Sequence, residues 1–172
     1  IGIIMIAHGL QMQLMGIRSV VENFSVVTTG IFMSGYFTGY FLGSKTTPLL
    51  VQKVGHIRVF AAFASLASLS ALLAAVYVNP TMWTLSRFIT GISLVSCYIV
   101  TESWLNDRAT NKNRGQLLSA YFIILYIGLG IGMLLLNVSD PKNYEPFILV
   151  SVLLSLALVP ILLTKRLSLI HI

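Results

Sequence analysis

The sequence is poor in charged residues, and this shortage decides the class of protein. Only 9% of its 172 residues are charged and 56% are hydrophobic, whereas soluble domains carry about 25% charged residues. A soluble fold of this size exposes more surface than so few polar residues can cover. The composition therefore argues against a soluble helical domain and predicts an integral membrane protein, with lipid as its main partner.

Several chemical classes are also missing. A single cysteine, Cys97, rules out an internal disulfide and any CxxC site. The histidines lie far apart at positions 8, 56 and 171 and lack metal-ligand spacing, so neither a metal nor another cofactor is predicted. No catalytic motif occurs, and we expect no enzyme. The net charge of +6 forms no basic stripe with interleaved aromatic residues, which argues against a nucleic-acid partner.

Long apolar runs are what the sequence has in abundance. Complete runs of about 20 residues match the length that a helix needs to cross the hydrocarbon core of a bilayer, and they are too long and too uniform for barrel strands. We predict six membrane-spanning helices in one domain over residues 1–164. The spans are 1–15, 26–43, 59–78, 82–101, 117–136 and 146–164. The chain begins with Ile1 and shows no signal peptide, so the first span is interpreted as truncated.

Basic residues between the runs indicate the orientation of the helices. Short cytoplasmic loops hold the excess of Lys and Arg. The second and fourth gaps and the tail contain Lys45, Lys53, Arg58, Arg108, Lys112, Arg114, Lys165 and Arg166. The other gaps contain only Arg18 and Lys142, and Arg87 lies inside the fourth run. This asymmetry predicts a cytoplasmic N-terminus.

The basic break "PLLVQKVGHIR" at 48–58 resembles the signature loop of the major facilitator superfamily, roughly G-x-L-x-D-R-x-G-R-R. Leu50, Lys53 and Gly55 fall in register, and Gln52 stands where the pattern has an acidic residue. "WTLSRFITGISL" resembles the superfamily's helix-four motif through Arg87. "ESWLND", "GHIRVFA" and "NKNRGQLLS" look like its YcaD-like branch.

The resemblance implies a fold, a function and a location in a bacterial inner membrane. It implies the N-terminal half of a twelve-helix transporter, built as a 3+3 inverted repeat, with a missing C-terminal six-helix half as partner. The implied activity is secondary active transport of a small-molecule substrate by alternating access, with proton coupling left open. The alternative is a membrane-embedded scaffold or assembly factor that transports nothing. The tail, 165–172, is either the start of a cytoplasmic loop between halves or a non-native extension.

Polar residues inside the spans are the candidate transport residues. A charged side chain within a span is costly and usually faces a cavity or a partner. The resemblance therefore implies that Arg87 binds substrate or couples protons, although it could instead reach the membrane interface. His8 and Gln11 share a face of the first helix, where they would line a cavity or bond to other helices. Tyr98 is a further substrate candidate that could equally be a packing residue.

Two more sets of residues complete the predictions. The resemblance implies a cytoplasmic gating loop formed by Gln52, Lys53, Gly55 and Arg58, with Glu102 as an acidic latch to Lys53 or Arg58. Small residues allow close helix contact in lipid, and the third run offers such a face as well. The glycines predicted to pack helices, or to let them slide, are Gly35, Gly39, Gly43, Gly91, Gly128 and Gly132.

Overall fold

The computed structural model describes residues 1–138 and 140–163, and every regular element in these ranges is helical. The predicted tail, 165–172, lies outside the described residues. The helices are α1 (Gly2–Val21), α2 (Val26–Val54), α3 (His56–Val76), α4 (Pro80–Arg108), α5 (Arg114–Leu135), α6 (Glu145–Leu156) and α7 (Val159–Leu162), with a short 3-10 turn at Leu136–Val138. The prediction of an all-α chain is thus confirmed for the described residues.

Four helical segments are long and apolar enough to cross a membrane. They are His56–Val76, Pro80–Arg108, Arg114–Val138 and Glu145–Leu162. Helices α1 and α2 have 20 and 29 residues, so length does not set them apart. Their composition does, because His8 and two glutamines lie in α1, and glycines, threonines and serines are frequent in α2. The prediction of six crossings therefore stays a prediction for these two helices.

Side chains and proline define where the helices begin. The Ser25 hydroxyl accepts a hydrogen bond from the Thr28 amide at the start of α2. At the start of α4, the Asn79 side chain accepts one from the Met82 amide, and Pro80 occupies the first turn. Both residues satisfy amide groups that a helix leaves unpaired at its N-terminus.

The predicted gap at 44–58 is wrong in extent. Helix α2 continues through Pro48 to Val54, and α3 begins at His56, so Gly55 alone separates them. Gly55 has a φ of 86°, a conformation that residues with a side chain rarely adopt. The basic residues of this region therefore extend from two helix ends that meet at a glycine. Composition suggested a loop because Lys53 and Arg58 break the apolar run, but charge at a helix end does not stop the helix.

The last predicted span also differs from the structure. Helix α6 ends at Leu156, and α7 starts at Val159 after a short turn. Pro160 lies in the first turn of α7. A proline has no amide hydrogen to donate to the preceding helix and its ring crowds the carbonyl four residues earlier, so a break just before it is expected.

Two pairs of helices make the closest contacts: α2 packs along α4, and α1 packs along α5. Helix α3 packs on α4 and α6, and α6 also packs on α1. Glycines lie at the closest points. A Cβ atom at Gly39 would overlap the carbonyl oxygen of Phe88, and one at Gly91 would overlap that of Tyr36. At such points a methyl group would force the helices apart.

Buried aromatic rings close one end of the bundle. Trp83 is fully buried and packs edge-to-face on Phe24 and Phe32, with Phe147 at 6.4 Å between ring centroids. Its indole nitrogen donates to the carbonyl oxygen of Ala74. This aromatic cluster joins the start of α4 to the α1–α2 connection and to α6.

The glycine contacts generate a prediction about stability. Gly39→Ala should lower the thermal midpoint of the purified protein by about 3–10 °C, because the methyl group would collide with backbone that cannot rotate away. Gly30→Ala is the matched control, since it lies on the same helix and nothing is within 4 Å of an added Cβ. Equal midpoints for the two variants in a fluorescence unfolding scan would contradict the contact.

Candidate functional site

Arg87 lies at the centre of a polar cluster buried among α1, α2 and α4. Its side chain is only 3% exposed. The Nε and Nη1 atoms are buried and have no hydrogen-bond partner within residues 1–138 and 140–163. The guanidinium carbon lies 4.8 Å from the centre of the Tyr36 ring. Arg87 therefore has an aromatic contact in place of a carboxylate.

His8 belongs to the same cluster. Its ring stacks on Tyr36, with 5.5 Å between ring centroids and an angle of 18° between the planes. Its Nδ1 atom is buried and, like the two Arg87 nitrogens, has no hydrogen-bond partner in the described part of the chain. Tyr36 thus contacts the imidazole of α1 and the guanidinium of α4, and these three side chains are called the arginine cluster below.

Gln11 takes part in a different arrangement. Its side-chain amide donates to the Thr90 hydroxyl over 3.4 Å, and Ser70 and Thr90 share a hydrogen bond of 2.9 Å. The Ser86 hydroxyl in turn donates to the Ser70 carbonyl. The polar groups of α1, α3 and α4 are paired with one another here, so this network holds helices together beside the arginine cluster.

Tyr98 makes no hydrogen bond or ring contact with the arginine cluster in the described residues. Its hydroxyl donates to the sulfur of Met5 over 3.2 Å. It follows Arg87 by 11 residues on α4, which corresponds to about 16 Å along the helix axis. The structure therefore brings Arg87 and His8 together, places Gln11 in a neighbouring network and joins Tyr98 to α1 at Met5, one turn from His8.

No carboxylate accompanies Arg87 in the described residues. The chain has five acidic residues. They are Glu22, Glu102, Asp107, Asp140 and Glu145, and each lies near a helix end or in a connection. The sole ion pair between described side chains joins Arg18 to Glu22. The interior of the bundle thus presents a cation without an internal counter-ion.

A second polar group is formed by side chains of α3, α4 and α5 at the end of the bundle where α2 meets α3. His56 shares a hydrogen bond of 2.9 Å with Ser103, and its ring stacks near Trp104 at 6.2 Å. The Glu102 carboxylate accepts a hydrogen bond of 3.2 Å from the Tyr121 hydroxyl.

The predicted gating residues are arranged around this group. Gln52, Lys53 and Arg58 are exposed, and Gly55 connects the two helices. Glu102 makes no ion pair with Lys53 or Arg58 in the described residues. A latch between them stays a prediction for a different conformation. The stacking of His56 on Trp104 could have been suspected only from "GHIR" and "ESWL" lying at the same end of adjacent helices.

Arg18 has a role that sequence reasoning missed. Its guanidinium pairs with Glu22 at 2.6 Å and donates to the carbonyl oxygens of Pro141, Lys142 and Asn143. These bonds join the end of α1 to the connection before α6, so the two connections lie at the same end of the bundle. The spacing of Arg18 and Glu22, four apart at a helix end, was the available signal.

Metal binding has no support in the part of the chain that the structure describes. No group of three or more His, Cys, Asp or Glu side chains lies close enough together there to hold an ion. What the arginine cluster offers instead is a positive charge with free hydrogen-bond donors, shielded from water by aromatic rings. Such a site can bind an anionic or strongly polar group.

Known proteins resemble the chain over most of its length. The MFS-type transporter YcaD of Escherichia fergusonii is 29% identical over 147 residues, which cover 86% of this chain and 38% of the relative. The YcaD of Escherichia coli O6:K15:H31 is 30% identical over 149 residues, with the same two shares. The chain thus spans a little over a third of the length of these relatives. No solved structure matches it.

The family assignment rests on a wider match. The sequence pattern of the Major Facilitator Superfamily matches residues 1–168, nearly the whole chain. The apolar helices are those of a multi-pass membrane protein. The family match points to a transporter rather than an enzyme. The chain therefore belongs to the major facilitator superfamily.

Proposed function

We propose that this chain is the N-terminal six-helix half of a secondary active transporter that moves a small solute by alternating access. The family match and the 38% share of the relatives' length support a half-transporter. The observation that carries the proposal is Arg87, a buried cation with unpaired donors inside an apolar helical bundle. A charged residue inside a span is costly and usually marks a functional position, which favours transport over a scaffold.

The pattern of helix contacts supports a 3+3 repeat. In such a repeat, α1, α2 and α3 correspond to α4, α5 and α6. The α2–α4 contact should then have a counterpart between α5 and α1, and the α3–α4 contact should have one between α6 and α1. All of these pairs are in contact, and the α3–α6 pair maps onto itself. An internal two-fold relation between the two sets of helices requires this correspondence.

The glycine register supports the same relation in more detail. On α2 and α4, Gly39 abuts the carbonyl three residues before Gly91, and Gly91 abuts the carbonyl three residues before Gly39. On α5 and α1, Gly132 abuts the carbonyl three residues before Gly9, and Gly9 abuts the carbonyl three residues before Gly132. The glycines one turn earlier, four residues before Gly39 and Gly132, also correspond. An added Cβ at Gly35 would lie 2.9 Å from the Thr84 carbonyl oxygen, and one at Gly128 would lie 2.9 Å from the Gly2 carbonyl oxygen. The two crossings thus share the same glycine register, as a repeat would produce.

Transport is tested by removing the buried charge. The complete protein that contains this chain is reconstituted in liposomes and supplied with a small-molecule extract of bacterial cytosol, and accumulated solutes are measured by mass spectrometry. The wild type should accumulate at least one solute above empty liposomes. Arg87→Ala should reduce this accumulation at least about tenfold, because the lost interactions involve a charged group. The amount of inserted protein should be unchanged.

Two results would contradict the role of Arg87 or the proposal itself. Full accumulation by Arg87→Ala would remove Arg87 from the mechanism. A wild type that accumulates nothing, with or without a proton gradient, would favour the scaffold.

The membrane orientation is part of the proposal. We infer that the protein lies in the bacterial inner membrane with its N-terminus in the cytoplasm, so that the α4–α5 connection is cytoplasmic and the connection before α6 is external. The basic residues on the cytoplasmic side support this orientation. The bonds from Arg18 to residues 141–143 place the α1–α2 connection and the connection before α6 at one end of the bundle, so both face the same side of the membrane.

A cysteine labelling experiment tests this orientation. Asn111→Cys and Asn143→Cys place a thiol at exposed positions in the two connections, and the natural Cys97 is fully buried and should not react. A membrane-impermeant maleimide should label Asn143→Cys in intact cells and Asn111→Cys only after permeabilisation. Labelling of Asn111→Cys from outside would refute the orientation.

We further propose that Glu102 changes partner during the transport cycle. It accepts a hydrogen bond from Tyr121 in the present conformation, and Lys53 and Arg58 are exposed at the same end of the bundle. In the other conformation the carboxylate would pair with one of these cations.

Charge reversal tests the exchange of partners. Glu102→Lys should reduce transport several-fold, and Lys53→Glu or Arg58→Glu in the same protein should restore it, because the swapped pair has the same attraction. Asp107→Lys, a reversal at an exposed site on the same helix end, is the control and should have little effect. Failure of both rescues would remove the latch.

A further inference from the structure

We infer that the transported solute carries an anionic oxygen group, a carboxylate or a phosphate, which pairs with Arg87. This inference rests on the proposed transport function and specifies the chemical class of its substrate. The supporting observation is that the buried guanidinium of Arg87 on α4 and the buried imidazole of His8 on α1 both contact Tyr36. Each group has at least one nitrogen atom that no other group in the described residues satisfies.

Unsatisfied hydrogen-bonding atoms are concentrated at this position. The described residues contain four buried side-chain nitrogen or oxygen atoms without a partner, and three of them belong to Arg87 and His8. Buried polar groups are nearly always paired in folded proteins, so a local excess of unpaired ones requires an explanation. A guanidinium group is planar, always charged and suited to binding carboxylate or phosphate through two hydrogen bonds.

The chain itself has no anion that could fill this position. Glu102 is the nearest acidic residue to Arg87 along α4, and its separation of 15 residues corresponds to about 22 Å. Glu22 already pairs with Arg18, and the Glu102 carboxylate accepts a hydrogen bond from Tyr121. Asp107, Asp140 and Glu145 lie outside the apolar interior, near the ends of the helices.

Aromatic rings connect the arginine cluster to the surface. Tyr40 is 39% exposed, Tyr36 is 9% exposed and Arg87 is 3% exposed. The ring centroids of Tyr40 and Tyr36 are 6.1 Å apart, and Tyr36 contacts the guanidinium. Exposure thus falls in steps from the Tyr40 side inwards.

Two sources could supply an anionic group to Arg87: a solute, or a fixed carboxylate in the part of the transporter beyond this chain. We favour the solute because His8 places a second unsatisfied polar atom beside Arg87, and a solute can present two separate polar groups to the two side chains. The experiment below separates the two sources.

The charge of the accumulated solutes tests whether the substrate is anionic. In the liposome assay with a cytosolic small-molecule extract, every solute that the wild-type complete protein accumulates should carry a negative charge at pH 7. Arg87→Gln should reduce accumulation by roughly ten- to a hundredfold, the range expected for losing hydrogen bonds to a charged group. Arg87→Lys should retain part of it, because lysine keeps the charge but not the planar donor geometry.

Arg108→Gln is the matched control. It makes the same substitution on the same helix at an exposed end, and its accumulation should equal that of the wild type. An equal loss in Arg108→Gln and Arg87→Gln would overturn the inference, because the effect would then follow from net charge alone. Should Arg87→Gln fail to insert, the charge of the wild-type solutes still gives the answer.

The remaining outcomes distinguish the inference from the proposed function. Accumulation of neutral or cationic solutes, lost in Arg87→Gln, would overturn the anionic substrate, leave transport standing and assign the counter-ion to a fixed carboxylate. No accumulation of any solute by the wild type would overturn transport, and with it the inference.

Discussion

The contact between α2 and α4 at Gly39 and Gly91 fixes how Arg87 meets Tyr36 in the arginine cluster. Because Gly91 has no side chain, α4 lies directly against the backbone of Tyr36. Arg87 is one turn before Gly91 on the same face, so the same approach places its guanidinium against the Tyr36 ring. With a larger residue at either glycine the helices would separate, and the charge would lose its aromatic contact.

The α1–α5 contact sets the third side chain of the cluster in the same way. Gly9 abuts the backbone of Leu129, and Gly132 abuts that of Ile6. His8 is the neighbour of Gly9, so the depth at which α1 sits against α5 determines how the imidazole meets Tyr36. Small residues therefore do more than pack helices here, since the two crossings together determine the geometry of the polar cluster.

The sequence predicted the features that depend on composition and on short-range pattern. Helical runs, the buried charge at Arg87 and the glycines of α2 could all be found by reading along the chain. The partner of Arg87 could not, because Tyr36 lies 51 residues away and only the helix crossing brings it close. Gly9 was missed although Gly2 and Gly9 are seven residues apart and therefore share one face of α1. Only the structure shows that this face contacts α5.

Errors in the prediction came from treating polar residues as boundaries. Lys53 and His56 suggested a broad loop, but a helix loses little when a charged side chain extends from its end into water. Only the positive φ of Gly55 ends α2. Arg18 was read as a loop residue of no particular role, because its three carbonyl partners come from residues 141–143, more than 120 positions later. Long-range bonds of this kind depend on the folded arrangement and leave no local trace.

The energetics of Arg87 explain why the cluster is suited to binding rather than to stability. Placing an arginine within a span costs about 2.5–3.5 kcal/mol on insertion scales. A cation–π contact away from water stabilises the folded protein by about 2 kcal/mol. The two nitrogens without partners add no hydrogen-bond energy. The free protein is thus left with a small deficit at this residue. An anion that reaches the guanidinium would form charge-assisted hydrogen bonds with the unpaired nitrogens. The folded chain does not make these bonds itself, so they contribute to ligand binding. Replacing Arg87 by an apolar residue would leave the bundle no less stable, and for this reason its presence inside the helices is best understood through what it binds.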